Sequence, residues 1–190
     1  MELFEFLLTI LLIFILLAFA AFILAKGLKV YNEHERGVRF RLGRFNKVLG
    51  PGIAFAFPLI DSTTTVDTRS RVLELKGLKA LTRESATVFI DLIIRYSITA
   101  PELAATKVAD TRSSLKAVAE TTARRMLGEL GLAEVVGKRE FINAKLREAV
   151  GSQAEAWGLG IEAVEIADVT PSERTMELIK RMGEKTRKRR

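Results

Sequence analysis

The residues capable of chemistry are sparse, and their spacing gathers none of them into a reaction centre. The single histidine, His34, stands between Glu33 and Glu35 with no apolar periodicity around it. In that setting it reads as a solvated linker residue and offers no serine a general base. There is no cysteine, which removes disulfides, thiolate catalysis, Cys-ligated zinc and palmitoylation. A transition-metal site would then rest mainly on carboxylates, a poor donor set for such ions. Glu162, Glu165 and Asp168 share a strand-like segment with mixed faces, and nothing pairs them as acid and base. Asp91 and Arg95 lie on the wetter side of another strand, where such residues commonly pair with neighbouring strands. Gly50-Pro51-Gly52 lacks the Lys-Ser/Thr and the following helix of a phosphate loop. The chain is therefore expected to have no catalytic residues, no metal and no cofactor.

The element that must position everything else is the first apolar run, Phe6 to Ala25. Apart from Thr9 it has no polar side chain, and it carries no charge. About 20 helical residues at about 1.5 Å each span about 30 Å, a bilayer's hydrocarbon thickness. In lipid such a segment must be helical, because nothing else satisfies its backbone polar groups. Glu2 and Glu5 precede the run, whereas Lys26, Lys29, Arg36, Arg39, Arg41 and Arg44 follow it. Cationic flanks stay cytoplasmic, which predicts the N-terminus outside and the remaining chain inside. A cleaved signal peptide would want a basic n-region and a shorter core, although Ala18-Phe19-Ala20 loosely mimics a cleavage site.

Residues 26–35, mixed in charge and containing Gly27 and Asn32, read as a short juxtamembrane connector. Val38, Phe40 and Leu42 alternate with Arg39 and Arg41, a strand that Gly43 ends. Gly50, Pro51 and Gly52 form a strong turn signal. Beyond them Ile53, Phe55, Phe57 and Leu59 point one way and Ala54 and Ala56 the other, until Pro58 stops the ladder. That bulky face has two readings: a core strand, or an apolar surface dipping into the membrane interface. From Ala86 to Ile98, Val88, Ile90, Leu92, Ile94 and Tyr96 form an uninterrupted covered face.

Helical spacing follows. Leu115, Val118, Ala119, Thr122, Ala123, Met126 and Leu130 mark one helix, with Ser113 or Ser114 as its N-cap and Gly131 as its C-terminal cap. A second, about Lys138 to Trp157, buries Ile142, Leu146, Ala149, Val150 and Trp157. It exposes Lys138, Arg139, Glu140, Lys145, Arg147 and Glu148, a solvated or subunit-facing surface. Ile161 to Val169 is a final strand. Thr170-Pro171-Ser172-Glu173 then has the form of an N-cap, a Pro at the first helical position and a capping glutamate. The helix it opens carries a narrow stripe of Met176, Ile179 and Met182 and a strongly basic end. Strands, then helices, then a closing strand predict an α+β domain.

The net charge of +7 is concentrated after the apolar run and at the C-terminus. That suits an anionic membrane surface, with Lys26, Lys29, Lys185, Arg187 and Lys188 meeting lipid headgroups. No RNA-binding motif is present and aromatic interleaving is thin, so nucleic acid is not an expected partner.

Arg36-Gly37-Val38-Arg39-Phe40-Arg41-Leu42-Gly43-Arg44, followed by Gly50-Pro51-Gly52 and Ile53 to Asp61, resembles the opening of the stomatin and prohibitin (SPFH, or band 7) domain. Val66-Asp67-Thr68-Arg69, Leu81-Thr82-Arg83-Glu84 and Trp157-Gly158 to Val169 resemble later family motifs in the right order. The resemblance runs from Glu33 to Glu173. It implies a transmembrane anchor (1–25), a connector (26–35), an SPFH domain with an antiparallel sheet packed with helices (36–170) and a basic C-terminal helix (171–190). It further implies a non-catalytic scaffold that forms homo-oligomers at the membrane, organises lipid microdomains and regulates a partner such as a membrane serine protease, channel or transporter. Ile53, Phe55, Phe57 and Leu59 become membrane-interface residues, and side-by-side packing would use the charged face of the Lys138 helix. Relatives usually continue into a coiled coil where this sequence stops at Arg190, so smaller or more labile rings are expected. The alternative is a monomeric or dimeric anchored module that recruits an anionic partner through the basic tail.

Overall fold

A charge-free run of leucine, isoleucine and phenylalanine has no polar face to offer water, and it forms one continuous helix, α1 (Glu2–Gly27). In the computed structural model, which describes residues 2–173 and 175–177, Phe4–Gly27 is long and apolar enough to cross a membrane. No other described helix meets that test, and among the described residues its apolar window is not buried. The chain divides into two compact units, Met1–Thr68 and Arg69–Arg190.

In the first unit the helix passes directly into β1 (Leu28–Tyr31), so the stretch expected to be a connector, 26–35, contains a strand of its own. β1 pairs antiparallel with β4 (Gly52–Phe55), setting Val30 opposite Ile53 and Leu28 opposite Phe55. Gly27 lies at the hinge of this arrangement. Its carbonyl accepts the Ala56 N–H at 2.8 Å, and a Cβ there would overlap the Phe55 ring. A three-stranded antiparallel sheet has the order β3-β2-β5, with β2 (Glu35–Arg41) central between β3 (Arg44–Leu49) and β5 (Asp61–Asp67). Val38 is its fully buried anchor.

β2 and β3 are joined by Leu42 and Gly43, both with positive φ, at 49° and 78°. A two-residue hairpin with left-handed central residues matches the twist of its strands, but glycine or asparagine usually fills it. The strand expected over Ile53 to Leu59 ends at Phe55. Pro58 has no N–H for a ladder, and the chain folds back so that Ile60 and Asp61 donate to the Phe57 carbonyl at 3.2 and 2.8 Å.

The second unit is built on an antiparallel sheet of order β6-β7-β8: β6 (Arg71–Leu81), β7 (Thr87–Ile98) and β8 (Leu159–Pro171). The period-two pattern of β7 is realised, with Val88, Ile90, Leu92, Ile94, Tyr96 and Ile98 all buried. Between β7 and β8 the chain makes α2 (Pro101–Lys107), α3 (Thr111–Glu129), α4 (Leu132–Gly137) and α5 (Arg139–Glu155). α3 packs on β6 and α5 on β8. Their buried stripes are Leu115, Ala119, Ala123 and Leu127, and Ile142, Leu146, Val150 and Ala154. Ala149 is only half-buried, one position off that stripe, and Trp157, also half-buried, lies beyond the end of α5.

Three helix ends differ from expectation. Asp110, not Ser113 or Ser114, caps α3, its carboxylate accepting the Arg112 N–H at 3.0 Å and the Ser113 hydroxyl. Gly131 opens α4 instead of closing α3, since its N–H donates to the Glu134 carboxylate at 3.1 Å. That bond, with Lys138 nearby, holds Glu134 below its ordinary pKa. Thr170 and Pro171 remain in β8, where Pro171 lies opposite Val88. Ser172 is the cap instead: its hydroxyl accepts the Thr175 N–H at 3.3 Å, and buried Thr175 bonds to both backbone groups of Thr87. Sheet pairing thus outcompetes an apparent capping motif by one half-turn. Ile179, Met182 and the basic end beyond them lie outside the described residues.

Candidate membrane interface

The apolar residues that find no core collect in the first unit. On the face of β1 and β4 that carries Leu28 and Phe55, the cross-strand partners Val30 and Ile53 are 75% and 77% exposed. Phe55 is half-buried and meets Phe57 edge to face, their ring centroids 5.1 Å apart. Phe57 begins the turn that displays Leu59, 83% exposed, and Ile60. The Ile60 carbonyl accepts the N–H of Leu42 at 2.9 Å, which brings the 78% exposed hairpin leucine to the same turn. Phe45, also exposed, packs edge to face on Phe40 beside that hairpin. Exposed apolar side chains are therefore present in this unit from the end of α1 to the hairpin tip. Exposed apolar groups in such number mark a candidate interaction site.

A charged clamp holds the turn in place. Arg41 reaches Asp61 with two bonds, Nε to Oδ1 at 2.8 Å and Nη2 to Oδ2 at 3.1 Å. The Phe57 N–H donates to Oδ2 at 3.1 Å, and Arg39 Nη1 stands 3.9 Å from the same oxygen. The Asp61 side chain has no exposed surface. Its pKa is pulled down to about 2, chiefly by the Arg41 hydrogen bond and further by the Phe57 N–H and the two arginine charges, against the opposing effect of burial. Arg39 also bonds Asn46 Oδ1, at 2.7 Å through Nη2, and the Phe55 carbonyl at 3.3 Å. The two arginines thus tie the ends of β4 and of the turn to β2.

Exposed cations lie in the same unit. Arg44 lies opposite Arg41 and Lys47 opposite Arg39, both exposed on β3. Lys26 ends α1 and Lys29 sits opposite Ala54. An anionic leaflet attracts such residues by about 1 kcal/mol each near its surface.

The residues expected to meet the membrane thus divide. Ile53, Phe57 and Leu59 are exposed, Phe55 is half in the packing, and Gly50 and Pro51 form the exposed link from β3 to Gly52. Lys185, Arg187 and Lys188 lie outside the described residues. Leu28, Val30, Phe45 and Ile60 join them unannounced by the sequence, and Leu42, expected on a strand face with Val38 and Phe40, stands instead in the turn after β2. For Leu28 and Val30 the signal was present, as alternation around Lys29. In the second unit Lys138 links α4 to α5, Arg139 is half-buried, and Glu140, Lys145, Arg147 and Glu148 are exposed. Lys145 and Glu148 pair with each other at 3.8 Å. The clefts there are open: one of about 390 Å³ between α3 and α5 is lined by Arg125, Met126, Glu129, Lys145, Glu148, Ala149 and Ser152.

Residues 29–190 match the sequence profile of the SPFH domain / Band 7 family. The chain belongs to that family. It is 37% identical over 154 residues to an uncharacterized protein of Methanocaldococcus jannaschii, covering 81% of this chain and 77% of that one. It is 30% identical over 176 residues to a stomatin homolog of Pyrococcus horikoshii, covering 93% of this chain and 66% of the relative. Stomatin-2 of Caenorhabditis elegans is 38% identical over 144 residues, which is 75% of this chain and 38% of the longer protein. Family membership and the N-terminal helix together make this a membrane-associated protein of scaffold type.

Proposed function

We propose that this SPFH protein is a non-catalytic, self-assembling membrane scaffold that organises lipid around itself and restrains a partner membrane protein. α1 anchors each copy, with Glu2 and Glu5 outside and the domain on the cytoplasmic side. The exposed apolar side chains of Val30, Ile53, Leu59 and Leu42 lie in the headgroup region beside the anchor, with the unit's exposed cations on anionic lipid. The observation that carries this reading is the exposure of both Leu42 and Leu59, on two turns joined by the bond from the Leu42 N–H to the Ile60 carbonyl. Removing each such side chain from water is worth about 1.5–3 kcal/mol, enough in sum to hold the unit against the bilayer.

The absence of cysteine from the sequence allows a direct test. Full-length protein carrying Leu59→Cys or Ile53→Cys, labelled with an environment-sensitive dye, is reconstituted into vesicles with brominated lipid. The reading expects strong quenching at both positions. Quenching at both no stronger than that of the free dye beside the same vesicles would refute membrane docking. Protease added to intact cells should also leave the domain undigested; digestion would overturn the orientation.

A further inference from the structure

Tyr96 is the only polar residue on the covered face of β7, and it is 4% exposed. A buried phenol hydroxyl ordinarily finds a hydrogen-bond partner. Among the described residues this one has none. Nor is it sealed in: among the described residues, the one unpartnered side-chain polar atom shut off from open space is the Tyr31 hydroxyl. The Tyr96 hydroxyl therefore opens into the cleft of about 280 Å³ that its residue lines.

That cleft lies where the first turn of α3 meets the end of the sheet. Strand register sets Arg71 of β6 opposite Tyr96, and Asp110, Thr111 and Arg112 complete the polar lining. Arg71 already has a partner. The Asp110 carboxylate is taken up by its own helix, accepting the Arg112 N–H at 3.0 Å and the Ser113 hydroxyl. Those bonds, the Ser113 hydroxyl first, hold it below its ordinary pKa. Among the described residues the Thr111 hydroxyl has no hydrogen bond and the Arg112 guanidinium no ion pair. What the cleft leaves unsatisfied is thus two hydroxyls and a guanidinium, all able to donate. They stand at the N-terminal end of a 19-residue helix, where the backbone dipole favours negative charge.

We infer that this cleft binds the phosphate group of a small solute. Three donors drawn from β7 and α3 match the three free oxygens of a phosphate monoester, and the guanidinium makes one of those bonds charge-assisted. A lipid phosphodiester offers only two free oxygens. The ionised Asp110 opposes the ligand and limits its affinity, which gives the site a signature: removing that charge strengthens binding, while removing a donor weakens it.

The test titrates full-length protein, in a maltoside detergent free of phosphate, with inorganic phosphate at constant ionic strength. Calorimetry should show saturable binding, and amide exchange should slow at 109–113 while β8 is unchanged. Tyr96→Phe keeps the ring and loses only the hydroxyl. It and Arg112→Gln should each weaken binding about tenfold or more, with folding checked by circular dichroism. Asp110→Asn can still cap α3 and should tighten binding. Lys145→Gln, outside the cleft, should leave it unchanged. Glycerophosphocholine, a soluble phosphodiester, separates the two sources of phosphate. Binding weaker than that of inorganic phosphate supports a small solute, and equal or tighter binding overturns that choice in favour of a lipid headgroup. No saturable phosphate binding, or a loss in Lys145→Gln as large as that in Tyr96→Phe, overturns the site.

Discussion

Leu42 offers the sharpest separation of stability from function. Its φ of 49° places a branched side chain in the left-handed region, which costs an ordinary L-residue about 1–2 kcal/mol. Asparagine tolerates that conformation far better. Because the Leu42 side chain is 78% exposed, little packing is lost on its replacement. Leu42→Asn is therefore expected to leave folding stability unchanged or raise it by up to about 1 kcal/mol. The same change removes an apolar contact worth about 1.5–3 kcal/mol on full burial. Scaled by exposure, about 1–2 kcal/mol of docking is lost, roughly a 5–30-fold shift toward the undocked unit. Chemical denaturation in detergent measures the first effect. Brominated-lipid quenching of a dye at Leu59→Cys, with and without Leu42→Asn, measures the second. A variant that is clearly destabilised, with lipid quenching intact, would refute the argument that Leu42 is displayed for the membrane.

Other consequences are equally specific. Asp61→Asn breaks the clamp on the Phe57–Ile60 turn, and faster amide exchange there would show it. The folded pKa of Asp61, about 2, lies below its ordinary 3.8, so the clamp's contribution is full above that value and is lost as pH falls through about 2. The Asp61→Asn variant should show no such acid transition in the turn. Gly27→Val forces a side chain into the Phe55 ring; the Ala56 amide, bonded to Gly27, should lose protection while β7 amides keep theirs. Leu92→Ala, at a nearly inaccessible site in the central strand, should cost about 2–5 kcal/mol of stability without altering lipid quenching.

How much of this could be read from the sequence follows from where alternation and burial agree. β7 was plain because one face is covered, so a single period-two run of large residues records it. β1 is only a weak signal: Leu28 and Val30 alternate around Lys29, but they look outward while Tyr31 is buried, inverting the usual pattern within four residues. The left-handed Leu42 could not be foreseen, since only Gly43 advertises a turn and leucine argues against one. Thr170-Pro171 was a persuasive helix start that lost to continued pairing with β7, an effect of tertiary context. The membrane-facing candidates Ile53, Phe57 and Leu59 were accessible to reasoning as one half of an ambiguous face. The leucine at the hairpin tip needed the backbone that carries it to Ile60.

The most direct test of the scaffold account is the mass of the full-length protein in its lipid environment, taken by light scattering across mild detergents and nanodiscs of differing anionic content. A self-assembling scaffold would run as a discrete complex of many copies that becomes smaller or more labile when anionic lipid is withdrawn. A monomer or simple dimer under every lipid condition would contradict it and favour a recruiting module.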